Sequence, residues 1–171
     1  YLRVQGKRGN QPPVLDLEAA PTTLARIHKA IQAGLITSCH DCSEGGVGVA
    51  AAEMAFSGGI GVEIDLAAVA RPGDLQHDGT ILFSESNSRF LIEIDLRHRE
   101  AAEAILAGVD HASIGVTNAG KTLRFVGLGG PTVLEAPLAD LRRIWSEALE
   151  RAIDPGAGPG PRPGPGPEGS P

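Results

Sequence analysis

The chain has 171 residues, 42% of them hydrophobic, and a formal net charge of −6. That length can bury a real core, and its interleaved acidic and basic residues leave no basic face for a nucleic-acid backbone or an anionic membrane, so neither partner is expected. No apolar stretch approaches the ~20 residues of a spanning helix, and the N-terminus lacks the basic-then-apolar order of a signal peptide, so a cytoplasmic location is the expectation.

Tyr1 stands where a methionine would, and YLRV reads as a strand without its beginning; the chain is expected to be the C-terminal piece of something longer. Residues 5–15 carry turn chemistry, and Pro12-Pro13 precludes regular helix there. A helix follows, capped by Thr22 or Thr23, with Leu24, Ile27, Ala30 and Ile31 at helical spacing and Gly34 as its stop. LITSC (35–39) is a short buried strand. VGVAAAEMAF (47–56) has the alanine content of a helix packed tightly on a sheet, ended by Ser57-Gly58-Gly59, and its one carboxylate, Glu53, is expected to face water.

GVEIDL (61–66) alternates as a strand. After a turn-rich stretch, ILF (81–83) is predicted as a strand, SESNS (84–88) as a polar turn and RFLIEIDL (89–96) as a second strand, the two forming a hairpin or lying close together. Residues 97–108 form an amphipathic helix closed by Gly108. HASIGVT, KTLRFVG and TVLEA read as three further strands, with Asn118-Ala119-Gly120 turning between the first two. GLGGPT (127–132) lacks the lysine and hydroxyl of a P-loop and leads into a strand, so it is a turn. PLADLRRIWSEAL (137–149) is the last helix, with proline at its first turn and Trp145 in its core.

No internal repeat is evident. Residues 1–150 therefore form one α/β or α+β domain, with helices layered on a mixed sheet. From 151 to 171 a tail remains, holding seven of the chain's 13 prolines with no G-x-y period, and it is expected to be disordered.

Two polar strings can carry chemistry. The first, HDCSEGG (40–46), joins a strand to a helix. Such a junction directs backbone N–H groups and the positive end of a helix dipole at one point, which suits a phosphate, and Gly45-Gly46 lets the main chain approach it. Ser43 can donate to an oxygen, and Asp41 and Glu44 can hold a magnesium ion. An N-cap by Ser43 or Asp41 and a tight Gly-Gly turn explain the same string without a ligand. Cys39 and Cys42 make a C-x-x-C, but the scattered histidines do not complete a zinc site, and the pair is read as two small residues flanking a loop. The second string, FSESNSRF (83–90), offers Glu85, Ser86 and Arg89 at a strand end. Arg89 can clamp a phosphate or carboxylate through two parallel hydrogen bonds. Ordinary turn chemistry with a surface Glu85–Arg89 ion pair is the alternative.

Together and in this order, GLITSCHDCSEGGVGVAAAEMAFSGGIGVEIDL and LFSESNSRFLIEID closely resemble the C-terminal domain of the phosphoribosylformylglycinamidine synthase synthetase family, and PPVLDLEAA and LADLRRIWSEAL agree with it. The resemblance covers roughly residues 1–150. It implies the aminoimidazole ribonucleotide synthetase superfamily, an α/β/α layered and partly ferredoxin-like domain, and ATP bound between paired domains. It also implies the reaction: ATP phosphorylates the amide oxygen of formylglycinamide ribonucleotide and ammonia displaces the phosphate, with ATP and Mg2+ as cofactors. Upstream synthetase domains of the same chain, a separate glutaminase subunit and a small bridging subunit are the implied partners. The family's catalytic histidine and most ATP and magnesium contacts fall upstream of this chain. Its substrate-binding glutamate-serine-glutamine motif corresponds loosely to Glu85-Ser86-Asn87, and Cys42 replaces the usual valine. Another superfamily ligase, such as aminoimidazole ribonucleotide synthetase, and an interaction domain holding an auxiliary nucleotide are the alternative readings.

Overall fold

The computed structural model describes residues 1, 6, 12–71 and 73–153. Of the expected YLRV strand only Tyr1 is described; residues 151–153, expected in the tail, belong to the last helix, and the proline-glycine tail from Asp154 on lies outside the described residues. In chain order the elements are α1 (Ala19–Gln32), β1 (Ile36–Asp41), α2 (Gly46–Gly58), β2 (Gly61–Asp65), α3 (Asp78–Phe83), β3 (Phe90–Ile94), α4 (Arg99–Leu106), β4 (Gly115–Asn118), β5 (Thr122–Val126), β6 (Thr132–Pro137) and α5 (Leu138–Ile153).

The strands fall into two sheets. One is mixed and four-stranded, in the order β4-β2-β5-β6, with β2 parallel to β5 and the outer pairs antiparallel. The other is the antiparallel pair β1-β3. Helices layer on this framework, as the mixed α+β reading expects. α2 lies between α3, α5 and β1 and also touches both sheets, which is why almost every side of it is alanine, glycine or another apolar residue. Its Ala51 and Ala55 complete a core with Ile64, Leu66, Ile81, Leu123 and Phe125. A smaller cluster of Cys42, Val47 and Ala50, with Leu91 and Ile114 against it, anchors the start of the same helix.

Three local expectations are corrected. ILF is not a strand: it is the second half of α3, whose N-cap is His77, with its Nδ1 accepting from the Thr80 amide. Ile81 and Leu82 are both buried. Consecutive strand residues face opposite sides, whereas consecutive helix residues stand about 100° apart and can both fall on one broad apolar stripe. The hairpin is consequently absent, and the strand after the polar reversal pairs with β1, Phe90 opposite Asp41.

α1 begins before the threonines. Asp16 Oδ1 accepts from the amides of Glu18 and Ala19, both at 2.9 Å, and Pro21 sits harmlessly in the first turn. Thr23 Oγ1 instead donates back to the Ala19 carbonyl.

Asn118-Ala119-Gly120 does connect two strands, but β4 and β5 are not neighbours, because β2 lies between them. The connection passes over the start of β2, where the Gly61 amide donates to the Gly120 carbonyl at 2.8 Å. A Cβ on Gly61 would stand 2.9 Å from that carbonyl oxygen, so only glycine allows the crossing. The residues before Gly115 in HASIGVT stay outside the strand.

Candidate functional site

The two polar strings meet. β1 ends at Asp41, the chain bends through Ser43-Glu44, and Gly45 and Gly46 both take left-handed backbone, φ +78° and +62°, to enter α2. Across the bend comes the reversal after α3. The Gly45 amide donates to Glu85 Oε1 at 3.0 Å. A Cβ on Gly46 would lie 2.6 Å from the Ser84 carbonyl oxygen and 2.8 Å from that of Leu82. Glycine is therefore needed twice over at position 46, by its φ and by the backbone packed on it.

An anion does sit at the start of α2, but it is the carboxylate of Glu85. The alternative of Ser43 or Asp41 as N-cap is not realised, since the cap residue is Gly45 and no side chain of the bend bonds to it. Ser43 contributes its carbonyl, which accepts from the Gly46 amide at 3.2 Å. Ser86 Oγ lies 3.1 Å from Ser84 Oγ.

The alternative of a Glu85–Arg89 surface pair is also overturned. Arg89 Nη2 donates to the Ala70 carbonyl at 2.8 Å, tying the reversal to the loop after β2. Its Nη1 is buried with no acceptor among the described residues, and its carbonyl accepts from the Cys42 amide.

Cys42 is buried, and desolvation pushes its thiol up to about 11 against the opposing pull of Arg89. It is therefore held neutral at physiological pH. Cys39 is exposed and free, its thiol raised by partial burial and then by Asp41. Among the described residues no three His, Cys, Asp or Glu side chains converge on a possible metal position. Asp41 and Glu44 are both exposed on the bend. Their oxygen donors suit a magnesium ion shared with ligand phosphates, not a cage built by the protein alone.

Sequence reasoning missed a neighbouring constellation. His40 Nε2 lies 2.9 Å from Glu53 Oε2, and the other oxygen of Glu53 accepts from Trp145 Nε1 at 2.8 Å. His40 Nδ1 lies 2.7 Å from the Asp41 carbonyl oxygen. Glu53 is thus paired instead of solvated, and Trp145, expected in the core, is 57% exposed, with its ring against Phe56 at 5.7 Å between centroids. The signal was a lone carboxylate in an apolar helix. Its partners come from β1 and α5, a separation no periodicity encodes.

Residues 2–127 match the family described as AIR synthase related protein, C-terminal domain, and the chain belongs to that family. Over 146 residues it is 38% identical to phosphoribosylformylglycinamidine synthase subunit PurL of Moorella thermoacetica, covering 84% of this chain and 19% of that protein. Among solved structures it resembles PurL of Thermotoga maritima complexed with FGAR, at a TM-score of 0.69 and 21% identity over 80% of this chain and 23% of that one. The same protein complexed with ADP matches at 0.68 and 22% identity, over 75% of this chain and 22% of that one. At such identity the structural likeness speaks for the fold, and the fold agrees: a mixed α+β domain of the C-terminal type. The chain spans about a fifth of the length of the curated relatives it matches.

Proposed function

We propose that this chain is the C-terminal domain of an ATP-dependent carbon–nitrogen ligase that converts formylglycinamide ribonucleotide to formylglycinamidine ribonucleotide in purine biosynthesis. The observation that carries the reading is the match of residues 2–127 to the family, together with the identity to a PurL subunit along most of the chain. The domain acts with upstream synthetase domains of its own chain. Ammonia drawn from glutamine by a separate glutaminase subunit, with a small bridging subunit, completes the assembly; the word subunit in the relative's name supports this division of labour. The location that goes with this reading is cytoplasmic, and its support is the likeness to a purine-synthesis enzyme subunit.

Within this domain the bend Asp41–Gly46 and the reversal Ser84–Arg89 form the nucleotide-facing corner. Ser43, Ser86 and Arg89 carry the side-chain donors to phosphate or ribose, while Gly45 and Gly46 shape the turn beside them, their amides bonded to Glu85 and to the Ser43 carbonyl. Asp41 and Glu44 would share the magnesium ion of ATP, whose chemistry is to neutralise phosphate charge.

The test uses the full-length protein containing this domain. Supplied with formylglycinamide ribonucleotide, ATP and ammonium, it should release ADP and phosphate with one amidine product per ATP; absence of substrate-dependent turnover would falsify the ligase reading. Ser86→Ala and Glu85→Gln should lower that turnover in folded protein, and unaltered kinetics would remove the corner from the site. One observation favours the second reading, an interaction domain: Gly45 and Arg89 already bond within the protein, to Glu85 and Ala70. Retained turnover in both variants is the outcome that reading expects.

A further inference from the structure

α1 carries two apolar faces, and the fold covers one of them. Ala20, Ile27 and Ala30 are buried where the helix packs on α4 and touches β1. Beside that face runs a second stripe, made of Leu17 in the turn that opens the helix, then Pro21, Leu24, His28 and Ile31, and all five are exposed. Their steps alternate between four and three residues, which keeps them in one line along a helix and is the spacing of a coiled-coil seam. Leu17 is 77% exposed, Leu24 53% and Ile31 47%. Large apolar side chains lined up in this way, instead of scattered singly, gain from leaving water together.

The charges along the stripe are ordered as well. Glu18 lies at its start and Lys29 near its end, about three turns apart and on the same flank. Neither side chain has a hydrogen-bond or ion-pair partner among the described residues. When a second α1 is laid antiparallel on the first, about a two-fold axis at Leu24, each feature meets its complement. Leu24 faces Leu24, Leu17 faces Ile31, Glu18 comes beside Lys29 at both ends, and the helix dipoles oppose one another. A parallel arrangement sets Glu18 on Glu18 and Lys29 on Lys29. Self-complementarity under a two-fold is the condition for pairing with an identical copy, and a different partner requires no such symmetry.

We propose that the exposed stripe of α1 is a docking surface for a second copy of this chain, formed by antiparallel pairing of the two α1 helices across a two-fold axis at Leu24. The pairing rests neither on the ligase reading nor on the corner between the bend and the reversal. Its seam is one helix of 14 residues, about 21 Å long, so the interface falls at the small end of specific contacts, below about 1,200 Å², and the dimer is reversible.

Sedimentation equilibrium of the full-length protein containing this domain should show monomer and dimer in exchange, with a dissociation constant on the order of 10 μM. Leu24→Asp places two carboxylates against each other on the axis and should weaken association by more than about tenfold. Glu18→Lys and Lys29→Glu each bring like charges together at both ends of the seam, and each should weaken it about tenfold at low salt. The double exchange restores both pairs and should return the constant to within about threefold of the wild type. All three positions are exposed, and circular dichroism checks that the variants keep the fold. A protein that stays monomeric up to about 1 mM, as it would if another part of the protein or a different partner covered α1, overturns the proposal. So does a dimer that Leu24→Asp leaves intact, or a double exchange whose two effects add instead of cancelling.

Discussion

Gly46 shows how much one residue can be asked to do. It is the first residue of α2, it has φ +62°, and the carbonyls of Leu82 and Ser84 occupy the space a side chain would need. Strain and overlap act together, so Gly46→Ala should cost about 2–4 kcal/mol in urea unfolding. Gly73, with ordinary φ and open space around it, is the control, and Gly73→Ala should change stability by under about 0.5 kcal/mol. The glycine pair was visible in the sequence as a feature permitting close approach. That the approaching group is protein backbone, with Glu85 as the anion, was not visible, since the contact joins residues 40 positions apart.

At the scale of elements, helix starts were the least legible feature. Thr22 and Thr23 have the side chains of N-caps, yet α1 starts at Ala19, because Asp16 reaches two otherwise unpaired amides. Those bonds, from Ala19 first and Glu18 second, hold the Asp16 carboxyl below the ordinary carboxylate range. A depressed folded pKa stabilises above the unfolded value, and that stabilisation disappears as pH falls through the lowered one. Asp16→Ala should therefore lower the melting temperature at neutral pH, and its deficit should shrink as pH is taken from about 6 towards 2. A deficit constant with pH, followed by circular dichroism, would assign the loss to packing instead. α3 teaches the same lesson from the other side: three apolar residues fit either period, and the decisive cue was His77-Asp78 just before them.

The whole molecule is held by the layer between α2 and the four-stranded sheet. Phe125, on β5, one of the two inner strands, is fully buried in a cluster with Ile64, Leu123 and the alanines of α2. Phe125→Ala removes side-chain burial and leaves a cavity in the core, so a loss of about 3–5 kcal/mol in equilibrium unfolding is expected. The mixed α+β class, six of the strands and four of the helices followed from local pattern alone, because apolar period and turn residues are properties of short segments. The bend and the reversal were each legible as polar strings, and the fold brings the two together. Strand order was decided by tertiary structure: β2 separates β4 from β5, and β3 leaves the main sheet to join β1. So was the company of single polar groups, with Glu53 between His40 and Trp145, Glu85 on Gly45 and Arg89 on Ala70. Pattern within a segment tells which face is apolar. Which foreign atom meets a polar group on that face depends on the path of the whole chain, and is settled only when all layers pack at once.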